Sequence, residues 1–392
     1  MTFLTNAKGE PLLLLGTQTH NSSVGDPEMM ARELAAVKAY GGNLLSPTVL
    51  DAMEEATRSF VRMDELHRAV GERIAEMTHN EGAAVVSGAS AGMMMCAAAL
   101  MTRDDPGRMM GLPDVTGLKN EILVLDDQLE EFESKMCIVG VKLKPVKIAP
   151  HKPEQLAAAA GEDTAAIYYA QMRKPSALSF EETIEAAKTA NLPLVVNADA
   201  QLPPRESLWK YTQAGAAAAI FAGGRALCGP SGSAIVVGQK WLTDAILSIA
   251  PPKHSIASVA NIGREEIVGL YAALEEYMAG DDYAAKIERV ERIIREERHR
   301  IEGEGYFLCR RSYPGPSGQN YPRMMLEILG SYSAEALVEM LQAGDPAILV
   351  TRTDNSESEN GIYINLMMLT DEEVEIVLRR VDECAESLTR LS

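Results

Sequence analysis

Residues 193–238 constrain the fold of this chain more than any other stretch, because they hold three short apolar runs separated by turn residues. The runs at 194–197, 217–221 and 233–237 have the length and composition of buried strands. The first ends in the polar residues Asn197 and Asp199, and a tight turn that carries Arg225 follows the second. Polar residues at the ends of buried parallel strands usually mark a ligand site. The stretch therefore predicts such a site.

The rest of the chain predicts an α/β fold with a second, smaller domain. The other candidate strands are at 12–15, 83–86, 121–125, 136–139 and 165–169, and helical patterns cover 47–61, 63–76, 153–160 and 180–190. Strands that alternate with helices predict right-handed crossovers and a mostly parallel sheet of about seven strands.

A break at Ala250-Pro251-Pro252-Lys253 is followed by long amphipathic helices at 263–278 and 284–303. Short strands at 306–310, 324–328, 347–351 and 361–366 and helices at 334–343 and 370–388 predict an α+β domain. We expect an N-terminal segment at 1–45, a large domain at 46–255 and a small domain at 256–392.

Composition excludes several classes of protein. The 392 residues carry a net charge of −19, which argues against binding the phosphate backbone of a nucleic acid. The five cysteines include no Cys-x-x-Cys pair, which indicates a reducing compartment and no zinc site. No uncharged apolar stretch approaches the length of a membrane span. We therefore expect a cytoplasmic protein with no metal centre and no contact with a membrane.

The segment Ser87-Gly88-Ala89-Ser90-Ala91-Gly92 lies between the run at 83–86 and a helical stretch at 93–101. A strand, a turn of small residues and a helix N-terminus form an anion site, because free backbone N–H groups point outward and the helix dipole favours negative charge. Close packing of a helix on a strand explains the small residues equally well. Both interpretations stay open at this point.

Several segments together resemble the selenocysteine synthase-like group of pyridoxal-phosphate (PLP) enzymes, which includes the glucosaminate-phosphate ammonia-lyases. The segments are FVRMDELH at 60–67, SGASAG at 87–92, QLPP at 201–204, the glycines at 223–224 with GP at 229–230, and GREEI at 263–267. The resemblance implies the aspartate aminotransferase fold, with a large seven-stranded domain and a small C-terminal domain. It also implies a homodimer, or a higher homo-oligomer, with sites at the subunit interface.

This sequence departs from the group at the turn after Phe221. In the group that turn reads Ser-Gly-Gly-Lys, where the lysine forms the Schiff base with PLP and the serine helps to hold the phosphate. Here Ala222 and Arg225 occupy the two outer positions. A guanidinium stays charged in proteins, so it cannot form a Schiff base.

The ring site departs as well, because Asn197 stands where the group has an aspartate that pairs with the pyridinium nitrogen. The other departures are Asp126, Asp127 and Gln128, where the group tends to carry Arg and His, and Asn261 in place of a Lys. We therefore expect a PLP fold that binds no cofactor. In the alternative, Asp199 takes over the pyridine contact and PLP binds without a covalent link.

Two kinds of site residue are predicted, catalytic and anion-binding. The candidate catalytic residues are Arg225, Asp199 and His20, and the candidate substrate- or anion-binding residues are Ser87, Gly88, Ala89, Ser90, Asn197, Gly223, Gly224 and Arg352. Arg225 beside a helix N-terminus would clamp a carboxylate or phosphate, and Asp199 or His20 would serve as a general base. In the structural alternatives, Arg225 forms a salt bridge with Asp199 and His20 is a hydrogen-bond donor in a loop.

Three functions follow from the residues and the resemblance. The first is an enzyme that acts on a small anionic, amino-acid-derived substrate by lyase, isomerase or transferase chemistry. The second is a non-catalytic subunit, a pseudoenzyme that pairs with an active PLP paralogue. The third is an enzyme that binds PLP without a covalent link.

Overall fold

The computed structural model describes residues 44–103, 105–171, 176–280, 283–315, 318–353, 357–367 and 369–391. The chain divides into two compact units within this range. The larger comprises Gly41–Tyr283 and Pro314–Asn320, and the smaller includes Ala284–Tyr313 and Tyr321–Ser392. The expected strand at 12–15 lies outside the described residues. The expected domain limits at 46–255 and 256–392 stay a prediction.

The larger unit holds nine of the described α-helices and seven of the described strands. In chain order these are α1 Pro47–Thr57, α2 Met63–Met77, β1 Gly82–Val86, α3 Gly88–Thr102, α4 Pro106–Gly111, β2 Glu121–Leu125, β3 Lys142–Val146, α5 Pro153–Ala158, β4 Thr164–Ala170, α6 Phe180–Ala190, β5 Leu194–Asn197, α7 Ser207–Ala214, β6 Ala218–Ala222, β7 Ala234–Gly238, α8 Lys240–Ile249 and α9 Arg264–Ala279.

The seven strands form one sheet in the order β1-β7-β6-β5-β4-β2-β3. Strand β7 is antiparallel to both of its neighbours, and the other neighbouring pairs are parallel. The prediction of a mostly parallel sheet is confirmed. Because Ala234 at the start of β7 pairs with both Val86 and Ala222, the carboxyl ends of β1 and β6 lie at the same edge as those of β5, β4 and β2.

One predicted strand of this sheet is wrong. The run at 136–139 belongs to a 3-10 helix, Glu131–Val139, that ends at Gly140 in the left-handed conformation with φ 90°. The seventh strand is β3, whose sequence KLKPV is too polar to predict a buried strand. An edge position explains this composition, since an edge strand tolerates both charge and proline.

Helix α3 packs closely on the sheet. A Cβ atom added to Gly92 would lie 3.1 Å from Cγ2 of Ile220 and 3.2 Å from Cγ2 of Val236. Helix packing therefore explains Gly92. The helix begins at Gly88, five residues before the predicted start at 93, so the small residues of the turn form its first turn.

The elements of the smaller unit are α10 Tyr283–Gly303, β8 Phe307–Ser312, β9 Arg323–Ile328, α11 Ala334–Gln342, β10 Thr351–Arg352, β11 Gly361–Ile364 and α12 Asp371–Leu391. The strands form a four-stranded antiparallel sheet in the order β10-β11-β9-β8. The strand predicted at 347–351 is wrong, because only Thr351 and Arg352 pair with β11.

Among the described helices of the chain, none is long and apolar enough to cross a membrane.

Candidate active site

The ends of β5 and β6 bring two of the predicted catalytic residues together. Asp199 follows β5, and its backbone carbonyl accepts from the N–H of Ala222 at 3.2 Å, which ties it to the end of β6. A guanidinium nitrogen of Arg225 lies 3.4 Å from Oδ2 of Asp199. The side chains of Arg225 and Asp199 are 24% and 22% exposed. The ion pair named above as the structural alternative for Arg225 is therefore present, and a ligand can still reach it.

The glycines of the β6–β7 turn shape the backbone that carries Arg225. The N–H of Gly223 donates to the carbonyl of Ser233 at 2.8 Å. A Cβ atom on Gly224 would lie 2.4 Å from Cα of Ser231, which is closer than real atoms approach. The turn thus requires glycine for packing, and the N–H of Gly223 is already used within the protein.

The N-terminus of α3 lies at the same edge of the sheet. Ser87 precedes this 15-residue helix without capping it through its side chain, and Gly88 has φ +84°. Within the described part of the chain, the backbone N–H groups of Gly88, Ala89 and Ser90 have no acceptor. Such groups and the helix dipole favour an anion. The predicted anion-binding segment is therefore an uncapped helix N-terminus.

A buried polar cluster lies behind Asn197, and the sequence reasoning missed it. The hydroxyl of Tyr168 lies 3.1 Å from Oε1 of Glu133 and 3.2 Å from Sδ of Met93. Nδ2 of Asn197 lies 3.9 Å from the same sulfur, and Oδ1 of Asn197 accepts from the N–H of Asp199 at 3.2 Å. Burial raises the pKa of both Tyr168 and Glu133. A tyrosine inside an otherwise apolar strand was the available signal, since a buried hydroxyl needs a partner.

The side chains of the loop after β2, where the sequence departs from the PLP group, form hydrogen bonds within the protein. Oε1 of Gln128, which is buried, accepts from the N–H of Ala170 at 3.0 Å. The carboxylate of Asp127 accepts from the hydroxyl of Ser176 at 2.8 Å and from the N–H of Ala177 at 2.6 Å. Gln128 holds the end of β4 beside β2, and Asp127 holds the residues Ser176 and Ala177.

The remaining predicted residues lie elsewhere. His20 is outside the described residues. Arg352, in the smaller unit, forms an ion pair with Glu335 and lines a cavity of about 410 Å³ with Thr353 and Asn360. Nowhere in the described ranges do three or more His, Cys, Asp or Glu side chains form a group that could hold a metal ion.

No protein-family model matches the sequence. D-glucosaminate-6-phosphate ammonia lyase of Salmonella typhimurium (strain 14028s / SGSC 2262) is 29% identical over 248 residues, which cover 61% of this chain and 65% of that enzyme. The match therefore spans slightly less than two thirds of that relative. The 5'-C-glycyluridine monooxygenase-decarboxylase of Streptomyces sp is 27% identical over 358 residues, covering 88% of this chain and 86% of that enzyme. Both relatives are enzymes.

Solved structures define the fold. The structure of D-glucosaminate-6-phosphate ammonia-lyase superposes with a TM-score of 0.74 at 25% identity, over 90% of this chain and 94% of that one. A serine palmitoyltransferase from S. paucimobilis, solved with a bound PLP–myriocin adduct, superposes with a TM-score of 0.56 at 13% identity, over 87% and 84% of the two chains. The larger and smaller units therefore have the PLP-dependent, aspartate aminotransferase-like fold.

These comparisons show that the expectation of a protein without a cofactor is wrong. PLP is the expected cofactor of a chain with this fold and these relatives. The described residues fit a phosphate ester, because α3 offers three N–H groups without acceptors. Asn197, a polar residue at the end of β5, is a group that would meet the ring nitrogen. Beside them, the β6–β7 turn presents the guanidinium of Arg225, a group that binds anions through hydrogen bonds.

Proposed function

We propose that this protein is a PLP-dependent enzyme that acts on a small anionic, amino-acid-derived substrate and holds PLP without a Schiff base to lysine. The observation that carries the proposal is the Arg225–Asp199 ion pair at 3.4 Å, placed where two strand ends meet beside the N-terminus of α3. The resemblance places the group's lysine at position 225, where this chain has Arg, and this substitution supports non-covalent binding of PLP.

In this proposal the protein holds the cofactor through polar contacts alone. The N–H groups of Gly88, Ala89 and Ser90 would receive the phosphate, and the hydroxyls of Ser87 and Ser90 flank them. The amide of Asn197 would meet the ring nitrogen. When bound, PLP supplies an electron sink that weakens bonds next to an amino nitrogen.

Arg225 is the proposed anchor for the substrate. A guanidinium binds carboxylate or phosphate through two parallel hydrogen bonds, which fixes orientation as well as position. Asp199 holds the guanidinium from one side and is the proposed general base, since its carboxylate is partly exposed at the same strand end. One relative is an ammonia lyase and the other is a monooxygenase-decarboxylase. Their names support a reaction that cleaves a bond at the amino-bearing carbon of the substrate.

Equilibrium dialysis with PLP and with pyridoxal tests the proposal. We expect saturable PLP binding that remains reversible after borohydride treatment. Pyridoxal lacks the phosphate that α3 would hold, so we expect it to bind at least ~10-fold more weakly, a difference of about 1.4 kcal/mol. Absence of saturable PLP binding, or a covalent adduct after borohydride, overturns the proposal.

A second measurement tests the role of Arg225. Amino and carboxylic acids that bind near the cofactor change its visible spectrum, so a spectral titration screens them directly. We expect Arg225→Gln to weaken the binding of anionic ligands by ~10- to 100-fold, because a charge-assisted contact is lost. Equal affinity in both proteins contradicts the assignment.

We also propose that the chain forms a homo-oligomer. Phe60 is fully exposed, Val61 is 43% exposed and Leu50 on α1 is 52% exposed. Exposed large apolar side chains such as these favour an interaction site. Light scattering should give at least twice the mass of one chain, and Phe60→Ser should lower it. A monomeric wild type contradicts this proposal.

A further inference from the structure

The polar cluster behind Asn197 has a defined direction of hydrogen bonding. Glu133 is fixed from one side, because its Oε2 accepts from the backbone N–H of Glu130 at 3.0 Å at the start of the 3-10 helix. Its Oε1 lies 3.1 Å from the hydroxyl of Tyr168. With Glu133 ionised, the single hydroxyl hydrogen of Tyr168 is donated to the carboxylate, which is a stronger acceptor than the Met93 sulfur.

This leaves the phenol oxygen of Tyr168 as an acceptor only. The facing group is the amide of Asn197, whose Nδ2 contacts the side chain of Tyr168 and lies 3.9 Å from the Met93 sulfur. The amide oxygen is then on the other side, where it accepts from the N–H of Asp199. One of the two amide orientations is thus selected by partners on both sides.

We propose that Glu133 and Tyr168 are positioning residues that hold the amide of Asn197 with its oxygen toward the ring nitrogen of the cofactor. The inference rests on the proposed function. An oxygen accepts a hydrogen bond from a protonated ring nitrogen, whereas an NH₂ group would favour the unprotonated nitrogen. A neutral amide is a weak substitute for a carboxylate, and the buried negative charge of Glu133, acting through Tyr168, strengthens it.

Burial of the cluster favours a single orientation of the Asn197 amide. Glu133 is 4% exposed, Tyr168 1% and Asn197 7%, so their hydrogen bonds form in a low dielectric and an unmatched partner is costly. A flipped amide would place its oxygen against the phenol oxygen and leave both without a donor. The cluster therefore holds a single arrangement at the end of β5.

The test compares Glu133→Gln and Tyr168→Phe with a matched control, Tyr169→Phe. Tyr169 is the next residue of β4, is also buried, and packs on the opposite face of the sheet. The measurements are the dissociation constant of PLP and the ¹⁵N chemical shift of ¹⁵N-labelled PLP bound to each protein. We expect both cluster variants to bind PLP ~3- to 10-fold more weakly. We also expect their ¹⁵N shift to move toward that of unprotonated pyridine, while Tyr169→Phe matches the wild type.

The outcomes separate this inference from the proposed function. If the wild type binds no PLP, the proposed function fails and this inference fails with it. If the wild type binds PLP and Glu133→Gln leaves both the affinity and the ¹⁵N shift unchanged, the inference alone is overturned. Glu133→Gln keeps the size of the side chain, so it decides the question even if Tyr168→Phe does not fold.

Discussion

The guanidinium of Arg225 lies 3.4 Å from the carboxylate of Asp199, and these two residues follow neighbouring strands of the sheet. Because β5 and β6 are parallel and adjacent, their carboxyl ends place the two side chains at one edge. The pair thus depends on topology as well as on sequence. It puts a fixed cation at the position that the resemblance assigns to the lysine of PLP enzymes.

Arg225→Lys should convert non-covalent into covalent binding of PLP. A lysine amine loses its proton more readily than a guanidinium and can react with an aldehyde. After incubation with PLP, borohydride reduction and proteolysis, mass spectrometry should find the modified peptide at position 225 in the variant and leave that peptide unmodified in the wild type.

The matched control for this experiment is Arg205→Lys, since Arg205 is exposed and donates to the carbonyl of Met278. It adds a lysine of the same kind at a position where no PLP site is proposed. Modification of both variants to the same extent, or of neither, contradicts the assignment of position 225.

A double-mutant cycle should measure a coupling between Arg225 and Asp199. The cycle compares the free energies of urea unfolding of the wild type, Arg225→Gln, Asp199→Asn and the double variant. Because both side chains are mostly buried, we expect a coupling free energy of about 1 kcal/mol, which is above the value for exposed pairs. The control is the pair Lys240–Asp244, whose side chains are 65% and 53% exposed and which should couple by less than about 0.5 kcal/mol. Equal coupling in the two pairs would show that burial adds nothing.

The strands of the seven-stranded sheet that the sequence predicts correctly are buried on both faces. All seven residues of β4 are buried, so an apolar run marks the strand directly. Strand β3 escapes this signal, because a sheet edge accommodates Lys142, Lys144 and Pro145. The apolar residues at 136–139 mislead for a related reason, since a 3-10 helix buries Met136 and Val139 while the residues between them face outward.

The residues of the candidate site also differ in how well the sequence predicts them. Asn197 and Asp199 are predictable, because polar residues interrupt an apolar run at its end. Tyr168 signals only that its buried hydroxyl needs a partner. That this partner is Glu133 is not predictable, because the hydrogen bond joins positions 35 residues apart and depends on where the 3-10 helix packs. Local patterns therefore find side chains at strand ends, and tertiary contacts decide which residues support them.

Gly224→Ala should destabilise the turn that carries Arg225. The added Cβ would lie 2.4 Å from Cα of Ser231, so the backbone must move, which we expect to cost ~2–4 kcal/mol. Gly111→Ala is the control, because nothing lies within 4 Å of its Cβ position at the end of α4. It should change stability by less than about 1 kcal/mol. Urea midpoints measure both, and similar losses would contradict the close approach.

His67 should make the stability of the protein depend on pH. The side chain is 4% exposed on α2, neither ring nitrogen has a hydrogen-bond partner among the residues described, and burial lowers its pKa. The unfolded chain therefore binds this proton more readily than the folded protein. The resulting loss of stability begins as pH falls below about 6.5 and is at most about 1.4 kcal/mol per pH unit.

His67→Leu should remove this contribution, because the buried site then holds no group that must stay neutral. At pH 7.5 the variant should be within about 1 kcal/mol of the wild type, since two unpaired nitrogens are replaced by apolar atoms. Urea unfolding at pH 7.5 and 5.5 measures the difference. The control is His299→Leu, which removes an exposed imidazole from α10 and leaves the buried one in place. If His67→Leu loses as much stability at pH 5.5 as the wild type does, the buried imidazole is not the cause.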